Sequence, residues 1–424
     1  MDDDINYRHK QWQPPARPEW VQRLNDESAH LESDIIVPLD ENSLIDTAKS
    51  HTGLADFGAE DWYEPFKAFV KSINEEARLN FTGRMMTRLD ILMYLEARLR
   101  VEDAYKRHPE IDEEEIVAPI LIMGAGRSGT SALQILMSQD PGSGTLTQWE
   151  GQFPAPPPEA ATYRSDPRIA KADRVAAWWN HVMPDFMSMH ELGGLVPTEL
   201  AQLECISFQS GVNWLIWCGF TPGFHTFMAG RSRVPGVAYG KRVLKLLQWK
   251  NPRQRWLLKN PDSINYLPET FEVYPDIRMV WAHRDPLKTV SSIVSFIGTI
   301  LWARSDQKLN ENAVANLTNP AGAAAMFDVV MDQMDQGVIP ASQFHHAQYL
   351  DFVADPMATV EKLYAEMRIP LTDAARKAMK NHLEANPREK RPAHNYQVNV
   401  AARANEERKL FARYQARFGV SSEV

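Results

Sequence analysis

The sequence predicts an α/β fold: a central parallel sheet flanked by helices, preceded by a helical N-terminal region. Three observations carry that expectation. A short apolar run leads into GAGRSGT (124–130), RWLLK (255–259) leads into NPDS, and IRMVWA (277–282) leads into HRDP, each followed by a helical pattern. Runs of this kind are strands buried on both faces of a parallel sheet. From about Asn42 to Val101, by contrast, apolar residues recur at helical spacing, as in PFKAFVKSINEEARL and TRLDILMYLEARLRVEDAY. Finally, the glycine-rich turn lies between the first apolar run and the helical TSALQILM, a strand–turn–helix order.

Taken in order, residues 1–115 form the helical region, and HPEIDEEEIVAP breaks its last helix. Residues 116–424 form the α/β region, with a helical insertion at about 170–247 after the proline-rich connector FPAPPPEA. The insertion is rich in aromatics, among them Trp178, Trp179, Phe208, Trp214, Trp217, Phe220 and Phe224. Most are expected in helical core, with some free to wall a pocket. Three strands then deliver polar residues to one edge of the sheet, where ligands bind in open α/β folds.

Composition narrows the function. With 424 residues, 44% apolar and 24% charged, the chain can bury a large core, and its net charge of −9 argues against a nucleic-acid partner. A small anion needs only a few local cations. Cys205 and Cys218 are too few for a disulfide framework or a cysteine-rich zinc site. The opening MDDDINYRHKQWQPP is acidic and polar, and no stretch of about 18 residues is apolar enough to read as a transmembrane segment. A reducing, cytoplasmic setting is the expectation, and a homo-oligomer is compatible with it.

The glycine loop brings backbone N–H groups and the positive end of a helix to one point, a site for phosphate or sulfate. Gly124, Gly126 and Gly129 spell GxGxxG, and Gly124 to Thr130 nearly spells a P-loop, with Thr130 at the lysine position. Missing that lysine, the loop is a poor one for ATP hydrolysis. A dinucleotide oxidoreductase remains an alternative, although only Glu150 stands at the distance of a ribose-binding acid and no buried strand precedes it. A third reading lets Arg127 supply the missing cation through its planar fork.

A second anion grip follows the IRMVWA run. Asp285 and Pro286 make a helix start, with an N-cap acceptor and proline at the first helical position. That puts Arg284 at the strand tip and Ser292 two turns into the helix, a cation and a hydroxyl suited to a second phosphate.

The combination resembles the sulfotransferases that use 3′-phosphoadenosine 5′-phosphosulfate (PAPS), in particular the bacterial group whose loop reads PRSGTT or PRTGTT. The resemblance runs from about Asp46 to Phe418 and includes TGLADFG, GRSGTSALQILMSQDPG, WLLKNP, YPDIRMVWAHRDPLKTVSSIVS, YLDFVADP and FARYQARFG. It implies a P-loop-like sheet, PAPS as donor, adenosine 3′,5′-bisphosphate as product and no metal. The 5′-phosphosulfate would be held by Gly126, Arg127, Ser128, Gly129, Thr130 and Ser131, and the 3′-phosphate by Arg284 and Ser292. Lys259 matches the lysine that steadies the sulfuryl group, and Arg391, in the basic NPREKRPAHNY, matches a segment that folds over the nucleotide.

The resemblance also implies a small-molecule acceptor facing the 170–247 insertion, whose aromatics hint at an apolar or aromatic alcohol. For the base that takes the acceptor proton, Glu150 in TQWE ranks first and His190 second. Asp262 reads as a partner for a cation and Glu199 as a buried hydrogen-bonding partner. Two departures stand out. Ser263 occupies the place where relatives carry histidine in KxPxH, and Gly126 replaces a usual proline. The first keeps a catalytically silent nucleotide-binding relative among the alternatives.

Overall fold

The computed structural model describes residues 7–210, 219–309, 315–387 and 403–424. Its sheet has five parallel strands: β1 (Ile120–Met123), β2 (Ser143–Thr145), β3 (Arg255–Lys259), β4 (Arg278–His283) and β5 (Phe344–Gln348). Their order is β2-β3-β1-β4-β5. The expected strands β1, β3 and β4 are central, and nearly every residue in them is buried. The segments SGT and FHHAQ add the two edge strands. An edge strand pairs on one side only and needs no continuous apolar run, so neither carries the signal that marks the central three.

Side chains of alternate parity leave opposite faces of the sheet. Ile120, Ile122, Leu257 and Val280 pack with Leu133, Leu136, Val360 and Leu363 on one face. Leu121, Met123, Leu258, Met279 and Trp281 join the larger cluster on the other, which continues into the N-terminal helices. Each fully buried aliphatic contributes about 1.5–3 kcal/mol relative to exposure, so the strands are pinned from both sides.

The N-terminal region is helical at 41–52, 63–76 and 81–107. It docks through aromatic contacts: Phe66 on Phe208 at 5.0 Å between ring centroids and Phe69 on Phe224 at 5.2 Å. Those two aromatics of the insertion are core residues, while Trp179 belongs to a second cluster with Phe186 and Ile297. Phe220 instead lines a cavity of about 440 Å³ with Glu76, Arg78, Leu301 and Lys308. Trp214, Trp217 and Cys218 lie outside the described residues.

One helix, Pro286–Arg304, qualifies the expectation about membrane spans. By length and composition it is apolar enough to cross a membrane, yet 83% of its apolar window is buried in the protein. Its Val294, Ile297 and Ile300 pack against Trp12, Trp179 and Phe186.

Register places the site. Ile122 lies opposite Lys259 on one side and Val280 on the other. The chain leaves β1 for the β3 side and returns on the β4 side, so the end of β1 is the topological switch point, where a crevice opens between the two crossovers. The glycine loop therefore emerges between Lys259 and Arg284.

Candidate anion-binding and transfer site

Local geometry fits the loop to an anion. Gly129 precedes the helix Thr130–Met137 with φ +93° and caps it without a side chain, so its first-turn N–H groups have no side-chain cap. A Cβ on Gly129 would stand 2.9 Å from the Tyr349 ring, and one on Gly126 would stand 2.4 Å from Ile293 Cδ1. The loop thus lies directly against the helix after β4 and the segment that follows β5. Ser128 Oγ is buried and has no hydrogen-bond partner among the described residues. A buried hydroxyl without a partner costs about 1–3 kcal/mol, which a bound oxyanion recovers.

The two cationic grips meet. Arg127, itself at φ +71°, donates from Nε to Ser292 Oγ at 3.1 Å and from Nη1 to the Met189 carbonyl at 2.6 Å. Arg284 donates from Nη1 to the Arg127 carbonyl at 3.0 Å and lies over the Tyr349 ring, 3.9 Å from its centroid. Asp285 caps the following helix by accepting from the Leu287 N–H at 3.1 Å, with Pro286 at its first position. The structure therefore joins Arg127, Arg284 and Ser292 in one network, next in the chain to the unpartnered Ser128. Arg391 lies outside the described residues, as do its basic neighbours Arg388 and Lys390.

Lys259, at the tip of β3, reaches the loop from the other side. Its Nζ donates to Ser131 Oγ at 2.9 Å and pairs with Glu199 Oε1 at 3.0 Å. An ammonium thus stands beside the first turn of the loop helix, although the P-loop lysine position holds Thr130. Burial by itself would raise the Glu199 carboxyl, but the charges of Lys259 and His190 and the lysine hydrogen bond carry it below its ordinary value. His190 is drawn down to about 4 by desolvation and then by the charge of Lys259. Its imidazole is neutral at pH 7 and lies 5.9 Å, between ring centroids, from both Phe186 and Phe296.

Glu150 is wholly buried, its Oε2 accepts from the Thr147 N–H at 3.0 Å and from Thr147 Oγ1 at 2.8 Å, and its Oε1 pairs with Arg253. Arg253 also donates to the Thr145 carbonyl at 3.1 Å, so the pair ties edge strand β2 to the segment before β3. Both carboxylate oxygens are engaged, one by a helix cap and the other by an ion pair. The signal was present in the sequence: Thr147-x-x-Glu150 is a capping box.

Glu199 had no comparable signal. It arrives at Lys259 because the Leu200 N–H donates to the Lys259 carbonyl at 2.8 Å and the Thr198 N–H to the Leu146 carbonyl at 2.8 Å. Ser263, at the histidine position of KxPxH, donates to the Asn260 carbonyl at 2.7 Å and turns the chain after β3. Asp262 is buried with Arg233 at 3.6 Å, as its reading as a cation's partner anticipates. Among the described residues no group of three or more His, Cys, Asp or Glu is placed to hold a metal.

Residues 119–373 match the profile described as the sulfotransferase family. Among solved structures the chain is similar to sulfotransferase STF1 from Mycobacterium tuberculosis H37Rv, with 25% identity and a TM-score of 0.73, covering 88% of this chain and 98% of that one. Sulfotransferase STF9 from Mycobacterium avium shares the fold at 24% identity and a TM-score of 0.76, covering 91% of this chain and 98% of that one. No curated protein matches the chain significantly. The β2-β3-β1-β4-β5 order also departs from the 3-2-1-4-5-6 order of dinucleotide folds, which removes the support for an oxidoreductase. The chain belongs to the sulfotransferase family.

Proposed function

We propose that this protein transfers a sulfuryl group from 3′-phosphoadenosine 5′-phosphosulfate to a hydroxyl or amine of a small-molecule acceptor. The supporting observation is the convergence of Arg127, orphaned Ser128, Lys259, Arg284 and Ser292 at the carboxyl edge of β1, β3 and β4. The residues of the loop fit the 5′ end of the donor, and Arg284 with Ser292 fit its 3′-phosphate. The donor, when bound, supplies the activated sulfuryl group.

The chain's own residues contribute alignment and charge, as in phosphoryl transfer. Lys259 balances the charge that develops on the transferring group, and Ser131 fixes its ammonium. Glu199 takes the acceptor proton: it is ionised, adjoins Lys259, and keeps 23% of its side chain exposed, against 0% for Glu150. His190 stays neutral beside it and, framed by Phe186 and Phe296, favours an acceptor with an apolar or aromatic body.

Thermal denaturation with adenosine 3′,5′-bisphosphate, NAD and ATP tests the donor class. A ligand at 100 times its Kd adds about 2.7 kcal/mol to the folded state. A clear shift is expected with the bisphosphate only, abolished by Arg284→Ala. An equal shift with NAD would overturn the reading.

A further inference from the structure

Arg284 already holds an anion of the chain's own. Its Nε and Nη2 donate to the two carboxylate oxygens of Glu423 at 2.9 and 3.0 Å, a bidentate fork, while Nη1 is turned to the Arg127 carbonyl. Glu423 is placed there by more than its charge. Gly419, at φ +65°, turns the chain back after the helix Ala412–Phe418. The Glu423 N–H then donates to Asp285 Oδ2 at 2.6 Å, and Arg408 approaches both Asp285 oxygens at 3.3 and 3.2 Å. The side chains of Arg284 and Glu423 are only 16% and 14% exposed, so solvent screens the pair weakly.

A planar guanidinium presents one bidentate edge of this geometry to one oxyanion at a time. We propose that Glu423 is an internal stand-in for the 3′-phosphate, and that its carboxylate must leave Arg284 before that phosphate binds. It thereby sets how strongly the protein prefers a 3′-phosphorylated nucleotide to one lacking that group. The inference rests on the donor reading above. The exchange breaks no covalent bond and needs no co-reactant: a phosphate carrying more charge than a carboxylate replaces it on the same two N–H donors.

Isothermal titration of the full chain with adenosine 3′,5′-bisphosphate and with 5′-AMP separates the outcomes, using wild type, Glu423→Gln and Glu423→Ala. Removing the competitor should tighten bisphosphate binding roughly fivefold in both variants, the scale of one partly screened ion pair. Binding of 5′-AMP, which never contests Arg284, should stay unchanged, so the ratio of the two affinities widens by the same factor. Unchanged or weaker bisphosphate binding would assign Glu423 to orienting Arg284 and overturn the proposal. An equal gain for both nucleotides would overturn it too, because the effect would not be specific to the 3′ group. If wild type and both variants all fail to bind the bisphosphate, the donor reading falls first and takes this one with it.

Discussion

Lys259, Glu199 and Glu150 show how one ion pair differs from another. Lys259–Glu199 lies at a strand tip with the carboxylate partly open, whereas Glu150–Arg253 is closed, with 0% and 6% side-chain exposure. Lys259→Ala should retain bisphosphate binding and lose about 10²–10³-fold in kcat, the usual cost of removing one charge-stabilising donor. Unchanged turnover would exclude Lys259 from the chemistry. Glu199→Gln should cost on the order of 10²-fold or more in kcat and flatten the acidic limb of the rate profile. Glu150→Gln should instead destabilise the fold by roughly 3 kcal/mol, because Arg253 is left buried without its counter-charge. Urea unfolding and a pH–rate profile on the two glutamate variants decide the assignment; a shifted profile in Glu150→Gln with intact stability would assign the base role to Glu150.

At the scale of the element, the loop between β1 and its helix depends on backbone that only some residues adopt. Gly129 combines φ +93° with the Tyr349 ring beneath it, and Tyr349 also carries Arg284 on its face. Gly129→Ala should therefore cost about 1–2 kcal/mol through the left-handed backbone alone. It should also weaken bisphosphate binding, since the displaced ring supports the second grip. Differential scanning calorimetry and titration on this variant check both effects, and an unaltered Kd would uncouple Tyr349 from the clasp. Elements of this kind were legible before any coordinates, since apolar runs, GAGRSGT and Asp285-Pro286 are local patterns. The edge strands were not, because Ser143–Thr145 gains its strand character only by pairing with Arg255–Leu257.

Across the whole molecule, buried histidines couple stability to acidity. His190 and His346 are both lowered to about 4, first by desolvation and then by neighbouring charge. His283, lowered well below its ordinary value by burial, contacts His346 at 2.8 Å and the Tyr414 hydroxyl at 2.8 Å. Between about pH 6.5 and 4 these histidines bind protons in the unfolded chain that they refuse in the folded one, so their contribution to stability rises with pH in that window and outnumbers the opposite contribution of the buried Glu204, raised to about 7 by desolvation. Each such histidine contributes at most ~1.4 kcal/mol per pH unit. The melting temperature should drop progressively below pH 6.5, and His346→Asn should make that drop shallower; a flat profile from pH 6.5 to 4.5 would contradict the assignment.

The sequence by itself determined the parallel sheet, the glycine turn, the capped helix after β4 and the two cations beside them. Each of these depends on residues within a few positions of one another, where backbone preference and apolar period act directly. Only the tertiary structure decided which carboxylate stands open beside Lys259, and that Arg284 already holds Glu423. Those outcomes join residues far apart in the chain, 103 positions for Glu150 with Arg253 and 139 for Arg284 with Glu423. A charged side chain takes whichever counter-charge the packed core brings within reach, and that choice is made by the fold as a whole.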